Sequence, residues 1–172
     1  MATFNEVIRK DPKVSAPALF GLGSLYEEQG KKQDALKKYQ EALTRAPMYV
    51  PALNNLASLY ADGIGGKPAE GLALIEKAVK AEPNNTNILD TYGYLLLKNG
   101  RADESRKILE RVASILPNNP TVNYHLALAY QRSGDRAQAL SRVNKALESG
   151  KFPEEPLARN LLAELTGTRK VR

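Results

Sequence analysis

Apolar side chains recur three and four positions apart along almost the whole chain, the periodicity of helices that bury one face. Ala18, Leu19, Leu22, Leu25 and Tyr26 form one stripe, and Ala35, Leu36, Tyr39, Ala42 and Leu43 form the next. Between them stands Gln29-Gly30-Lys31, where a glycine in the left-handed region closes the first helix and lets the chain reverse. Pro47, Pro83 and Pro117 each follow a later stripe, and Pro lacks an N–H and clashes with the preceding turn, so each predicts a helix end. Asn84-Asn85 and Asn118-Asn119 come directly after two of these prolines and predict turns and helix caps. Connections this short produce antiparallel helix hairpins.

The hairpins repeat at a spacing of roughly 34 residues. Leu22-Gly23, Tyr26, Gly30, Ala35, Tyr39, Ala42 and Pro47 make the first copy. The second is Leu56-Ala57, Tyr60, Gly63 to Gly66, Gly71, Ile75, Ala78 and Pro83, and the third is Tyr92-Gly93, Leu96, Gly100, Ser105, Leu109, Val112 and Pro117. The fourth is Leu126-Ala127, Tyr130, Gly134, Ala139, Val143 and Ala146, with Lys151 where a proline was due. Gly23, Ala57, Gly93 and Ala127 fall in register, as do Ala35, Gly71, Ser105 and Ala139, and these small residues mark where paired helices cross closest. Tyr26, Tyr39, Tyr60 and Tyr130 are predicted to fill the core between pairs. The expected organisation is one array, with helix pairs at 16–49, 50–85, 86–119 and 120–153, a closing helix at 154–166 and a tail at 167–172. On the closing helix, Leu157, Leu161, Leu162 and Leu165 are expected to share the packing face.

Composition sharpens this by exclusion. Hydrophobic residues at 42% and charged residues at 26% suit a folded chain, and no apolar run approaches the roughly 20 residues that span a bilayer. There is no cysteine, which removes disulfides, thiolate metal sites and cysteine nucleophiles. A formal charge of +6 raises the question of nucleic acid, but Lys and Arg are spread through every repeat without a binding motif, so no nucleic-acid partner is expected. His125 has no Cys or second His near it to hold a metal. The stretch from Asp62 to Pro68 is Gly-rich and holds Lys67, but it lacks phosphate-loop spacing and follows a helix, so it reads as a long turn. No catalytic, metal or cofactor site is predicted, and the chain reads as a binding protein rather than an enzyme.

The repeated pattern resembles the tetratricopeptide repeat (TPR) family, with residues 22–47 at the family's spacing. The resemblance implies an all-α, right-handed superhelical solenoid of antiparallel helix pairs. It also implies that the first helix of each pair lines a concave groove that holds a peptide or protein segment. The longer turn from Asp62 to Pro68 is similar to that of the related Sel1-type repeat. On these implications the groove candidates are Phe20, Ser24 and Glu27 in the first copy, and Asn54, Asn55, Ser58 and Asp62 in the second. Asp90, Thr91, Tyr94 and Lys98 follow in the third, then Tyr124, His125, Leu128 and Gln131 in the fourth. Phe20, Tyr94 and Tyr124 are the aromatic anchors, and Asn54 and Asn55 are placed to bond an extended backbone. TPR adaptors of heat-shock chaperones hold a terminal carboxylate with cations, but the corresponding sites here are Phe20, Ser24, Asn55, Asn87 and Thr91, so that ligand is not expected.

A narrower resemblance, carried by residues 89–94, 120–129 and 146–165, is to the closing part of long bacterial TPR proteins of exopolysaccharide secretion and PEP-CTERM sorting. It implies a periplasmic scaffold. A self-associating assembly protein and an accessory segment of an enzyme such as a glycosyltransferase are the alternatives. Phe4, Val7, Ile8 and Pro12 repeat the spacing of Tyr39, Ala42, Leu43 and Pro47, so residues 3–15 read as the second helix of a truncated repeat. Such a half repeat leaves an apolar face bare, and the expected outcome is a homo-oligomer. Light scattering should then show a mass that grows with concentration; a strictly monomeric mass at high concentration counts against it.

Overall fold

The computed structural model describes residues 15–168. The half repeat expected at 3–15 lies outside them except for Ser15, a fully buried residue at the described start of the first helix. Among the described residues there are nine helices and no strand. They are α1 (Ser15–Glu28), α2 (Lys32–Arg45), α3 (Val50–Ala61), α4 (Pro68–Ala81), α5 (Thr86–Lys98), α6 (Ala102–Ile115), α7 (Pro120–Arg132), α8 (Arg136–Glu148) and α9 (Glu155–Thr166). This is an all-α helical-repeat fold.

The connections follow the residues that predicted them. Gly30, Gly100 and Gly134 take φ of 73°, 78° and 81°, the left-handed conformation that ends a helix without strain only for glycine. Helices α2, α4 and α6 end at Arg45, Ala81 and Ile115, just short of Pro47, Pro83 and Pro117. Asn119 caps α7 by accepting from the Val122 N–H at 3.1 Å, and Asn85 Oδ1 accepts from the Asn87 N–H at 3.0 Å ahead of α5.

The chain divides into two compact units, the first ending at Thr91 and the second beginning at Tyr92, a division that falls inside α5. In the first unit α1 pairs with α2, α3 pairs with α4, and α2 also packs on α3. Ala35, Leu36, Tyr39, Leu56 and Leu59 form one core cluster, with Tyr26 and Tyr60 partly buried against it. In the second unit α7 packs on α6 and α8, and α8 packs on α9. Leu109, Val112, Leu126, Val143 and Ala158 are among its fully buried apolar side chains.

Small residues set those crossings. A β-carbon at Gly23 would overlap the ring of Tyr39, and one at Gly93 would fall 2.6 Å from Leu109 Cγ. Ser105 Oγ donates to the Gly93 carbonyl at 2.7 Å, so the third pair adds a buried hydrogen bond at its closest approach. The closing helix departs from expectation. Its buried face is Ala158, Leu161 and Leu165, while Leu157 is 52% exposed. At about 100° per residue, Leu157 points well away from the line through Ala158 and Leu165, and the small Ala158 takes the close contact.

The tyrosine at position 39 is also a polar hub. Its hydroxyl donates to Glu27 Oε2 at 2.6 Å, Asn55 Nδ2 donates to it at 3.1 Å, and Ser24 Oγ lies at 3.4 Å. One phenol thus ties α2 to α1 and α3. Burial, reinforced by the Glu27 carboxylate, pushes this hydroxyl up to about 12 from its ordinary 10.0.

Two outcomes follow. Gly23→Ala should destabilise the chain by about 1–3 kcal/mol through overpacking, read as an earlier urea midpoint; an unchanged midpoint would refute the close approach. For Tyr39, the folded chain holds the phenolic proton where the unfolded chain loses it, so its stabilisation is intact below pH 10.0 and is lost as pH rises to about 12. Relative to Tyr39→Phe, the wild-type unfolding free energy should fall by on the order of 2 kcal/mol across that window. Parallel pH profiles for the two proteins would contradict this account.

Candidate functional site

Helices α5, α7 and α9 each contribute one wall to a cleft of about 540 Å³ in the second unit. Leu97, Tyr124, Leu128 and Leu157 make its apolar lining, and Lys98, Gln131 and Arg132 bring polar groups to it. Tyr94 is fixed between neighbours: its ring stacks on that of His125 with centroids 4.2 Å apart, and the Lys98 ammonium lies over it at 5.1 Å. Both cations are exposed, and among the described residues neither makes an ion pair. No carboxylate lines this cleft.

The site is built by the repeat register. Tyr94 and Leu128 occupy equivalent places on α5 and α7, as do Leu97 and Gln131, and Lys98 and Arg132. In the first two copies the equivalents of the cations are Glu28 and Asp62, and those of Tyr94 and Leu128 are Ser24 and Ser58. The second unit therefore differs from the first in both the size and the charge of the side chains at these positions.

The first unit holds a smaller cleft of about 250 Å³, lined by Phe20, Asn54, Asn55, Asn85, Asn87 and Ile88 among others. Phe20 is half-buried there, 5.6 Å from the Tyr39 ring and 5.8 Å from Tyr49. Asn54 Nδ2 donates to Asn55 Oδ1 at 3.2 Å, while Asn54 Oδ1 is buried and accepts no hydrogen bond.

Several expectations need correcting. Tyr124 and His125 were expected to face outward, but they are 5% and 6% exposed, because α7 is covered on more than one side and both rings pack within the unit. Only Tyr124 borders the cleft. Ser24, Glu27 and Asn55 surround the Tyr39 hydroxyl instead of standing free. Asp62 is exposed at the end of α3, paired with Lys32 at 3.5 Å, and lines neither cleft. Ser58 and Asp90 are half-buried and likewise line neither. Thr91 Oγ1 donates to the Asn87 carbonyl at 3.1 Å within its own helix. Tyr94, Lys98, Tyr124, Leu128 and Gln131 are the expected residues that the second unit brings together. Leu97, Arg132 and Leu157 were missed, although Tyr124, Leu128 and Arg132 stand four apart and so on one helix face.

Among the described residues, no group of three or more His, Cys, Asp or Glu side chains is placed to hold a metal ion. None of their helices is long and apolar enough to cross a membrane.

Comparison with known proteins places this geometry. The chain is 25% identical over 158 residues to the aspartyl/asparaginyl beta-hydroxylase of Mus musculus and 24% identical over 156 residues to that of Homo sapiens. Each match covers 86% of this chain but only 21% and 20% of those proteins, so the chain spans about a fifth of their length. Among solved structures, PilW, a widely conserved type IV pilus biogenesis factor, is similar with a TM-score of 0.74 at 20% identity, covering 96% of this chain and 76% of that one. MamA from Desulfovibrio magneticus RS-1 gives 0.65 at 20% identity, covering 89% and 84%. A thermophilic TPR protein of Thermus thermophilus gives 0.66 at 21%, covering 92% and 82%. At these identities the likeness is one of fold. One tetratricopeptide repeat model matches residues 65–114 and 96–165, more than half of the chain, and another matches 16–49. The chain belongs to the tetratricopeptide repeat family, a fold suited to protein–protein interaction.

Proposed function

We propose that this chain is a non-catalytic interaction module that holds a partner's peptide segment in the cleft of its second unit. The observation that carries the reading is the cleft itself: aromatic and leucine side chains beside cations without carboxylate partners, on helices whose own cores are already filled. Aromatic and apolar anchors in a concave site supply most of a peptide's binding energy, with a few polar groups setting its orientation. A role in bacterial envelope export, on a larger periplasmic scaffold, rests on the sequence resemblance of residues 89–94, 120–129 and 146–165.

One observation favours a second reading. The match to a fifth of the aspartyl/asparaginyl beta-hydroxylases supports a repeat segment that accompanies an enzyme, with the chemistry supplied elsewhere in the longer protein. Both readings place the same demand on the cleft.

A phage-displayed library of random dodecapeptides panned on the whole chain tests it. Clones retained by the wild type should lose about tenfold in affinity against Leu128→Ala, since an apolar contact buried in the complex is lost without a change of charge. A circular dichroism melt confirms that the variant folds. Clones that bind both proteins equally, or an empty selection, would remove the cleft from consideration.

A further inference from the structure

Resting on that reading, we propose that the segment held in the second unit's cleft is an acidic peptide in the polyproline II conformation, in which carboxylate side chains recur about every third residue beside large apolar ones. Three features of the cleft support it. Its charged groups are of one sign: Lys98 and Arg132 are exposed, make no ion pair among the described residues, and meet no carboxylate in the lining. The chain carries 19 acidic residues, and elsewhere in this unit basic side chains do find them, as in Arg101–Glu104 at 2.7 Å and Arg159–Glu155 at 2.8 Å. What sets Lys98 and Arg132 apart is that they stand together in one cleft whose lining holds no acid.

The second feature is the register. Each of α5 and α7 presents a large side chain followed one turn later by a cation: Tyr94 then Lys98, and Leu128 then Arg132. The stack of Tyr94 on His125 brings the two helices into contact. Packed helices stand about 8–10 Å apart, and a polyproline II segment advances about 3.1 Å per residue with every third side chain on one face. A segment crossing from one helix to the other in that conformation therefore meets the same apolar-plus-cation set after about three residues. These cations stand further along their helices than Asn87 and Thr91, the places where a terminal-carboxylate clamp would need its charges. The carboxylates are thus those of side chains.

Third, Leu157 supplies the remaining wall. It is the one large apolar side chain of α9 left 52% exposed, and it borders the cleft. A phosphodiester strand would satisfy the two cations but leave Leu97, Leu128 and Leu157 against water. An acidic peptide with apolar residues satisfies both sets. Leu157 therefore makes the closing helix part of the site as well as a cover for the last repeat.

The test uses the whole chain and the panned dodecapeptides. Retained clones should be enriched in Asp and Glu at three-residue spacing, flanked by Leu, Ile, Phe or Tyr. A synthetic peptide of the leading clone, followed by fluorescence anisotropy, should bind about three- to tenfold more weakly to the Lys98→Gln/Arg132→Gln protein, the range expected for two exposed ion pairs. Raising the salt should weaken wild-type binding and leave the double variant nearly unaffected. Replacing the peptide's acids by Gln should reproduce the loss. Neutral or basic clones, or an affinity that the double variant leaves within twofold, would overturn the acidic class. If those clones still fail on Leu128→Ala, the cleft reading stands and only this inference falls; an empty selection ends both. Displacement of the peptide by a single-stranded thymidine homopolymer that binds more tightly would assign the cations to nucleic acid instead.

Discussion

The backbone of α1 passes so close to the Tyr39 ring that only a hydrogen fits on the α-carbon of Gly23. The same constraint returns at Gly93, where Leu109 fills the space a β-carbon would need. In a repeat protein no hairpin has a core large enough to stand alone, so stability comes from how tightly each helix lies on its partner and on its neighbour. Removing a β-carbon lets two backbones approach until dispersion contacts are made along the whole crossing. Ser105 uses the shortened distance differently, closing a 2.7 Å hydrogen bond to the Gly93 carbonyl. At the fourth crossing, where neither glycine nor serine stands, Ala127 and Ala139 occupy it with no exposed surface.

Most of this architecture was legible because the residues that build it act locally. A left-handed glycine, a proline two residues beyond a helix end and an asparagine cap each work through their own backbone, so their meaning survives without knowledge of tertiary neighbours. The period then fixed the pairing. What failed was the assignment of faces. His125 and Tyr124 fall in the gaps of the apolar stripe and so read as outward, but α7 lies against both α6 and α8, and little of its circumference is left for solvent. Leu157 erred the other way. Spacing grouped it with Leu161 and Leu165, whereas the contact centred on Ala158, a residue too small to stand out in a hydrophobic pattern.

The candidate site was half legible for a related reason. Tyr94, Lys98 and Gln131 were found because the first helices were expected to carry the groove. A cation at a helix end such as Arg132 is ordinarily a solvated partner of the helix dipole, so sequence alone does not single it out. Its distinguishing property is its place with Lys98 in a cleft whose lining holds no carboxylate, which depends on where the acidic side chains of the unit point. Register supplies what periodicity could not. The equivalents of Lys98 and Arg132 in the first two copies are Glu28 and Asp62, so the same structural position changes sign within one chain.

That change has a physical counterpart in the cores beneath. At the place of Tyr39, the later copies carry Ile75, Leu109 and Val143, which have no hydroxyl to satisfy. In the first unit the phenol draws Ser24, Glu27 and Asn55 around it, and these polar groups are thereby committed to holding α1, α2 and α3 together. In the second unit Leu109 and Val143 are fully buried and ask nothing of the helices that cover them. The positions equivalent to Ser24 and Glu27 are then free to be Tyr94, Leu97, Leu128 and Gln131, which border a cleft instead of a hub. Where the core residue carries a buried hydroxyl, the polar groups above it are committed to satisfying it, since a buried hydroxyl left without partners would cost about 1–3 kcal/mol.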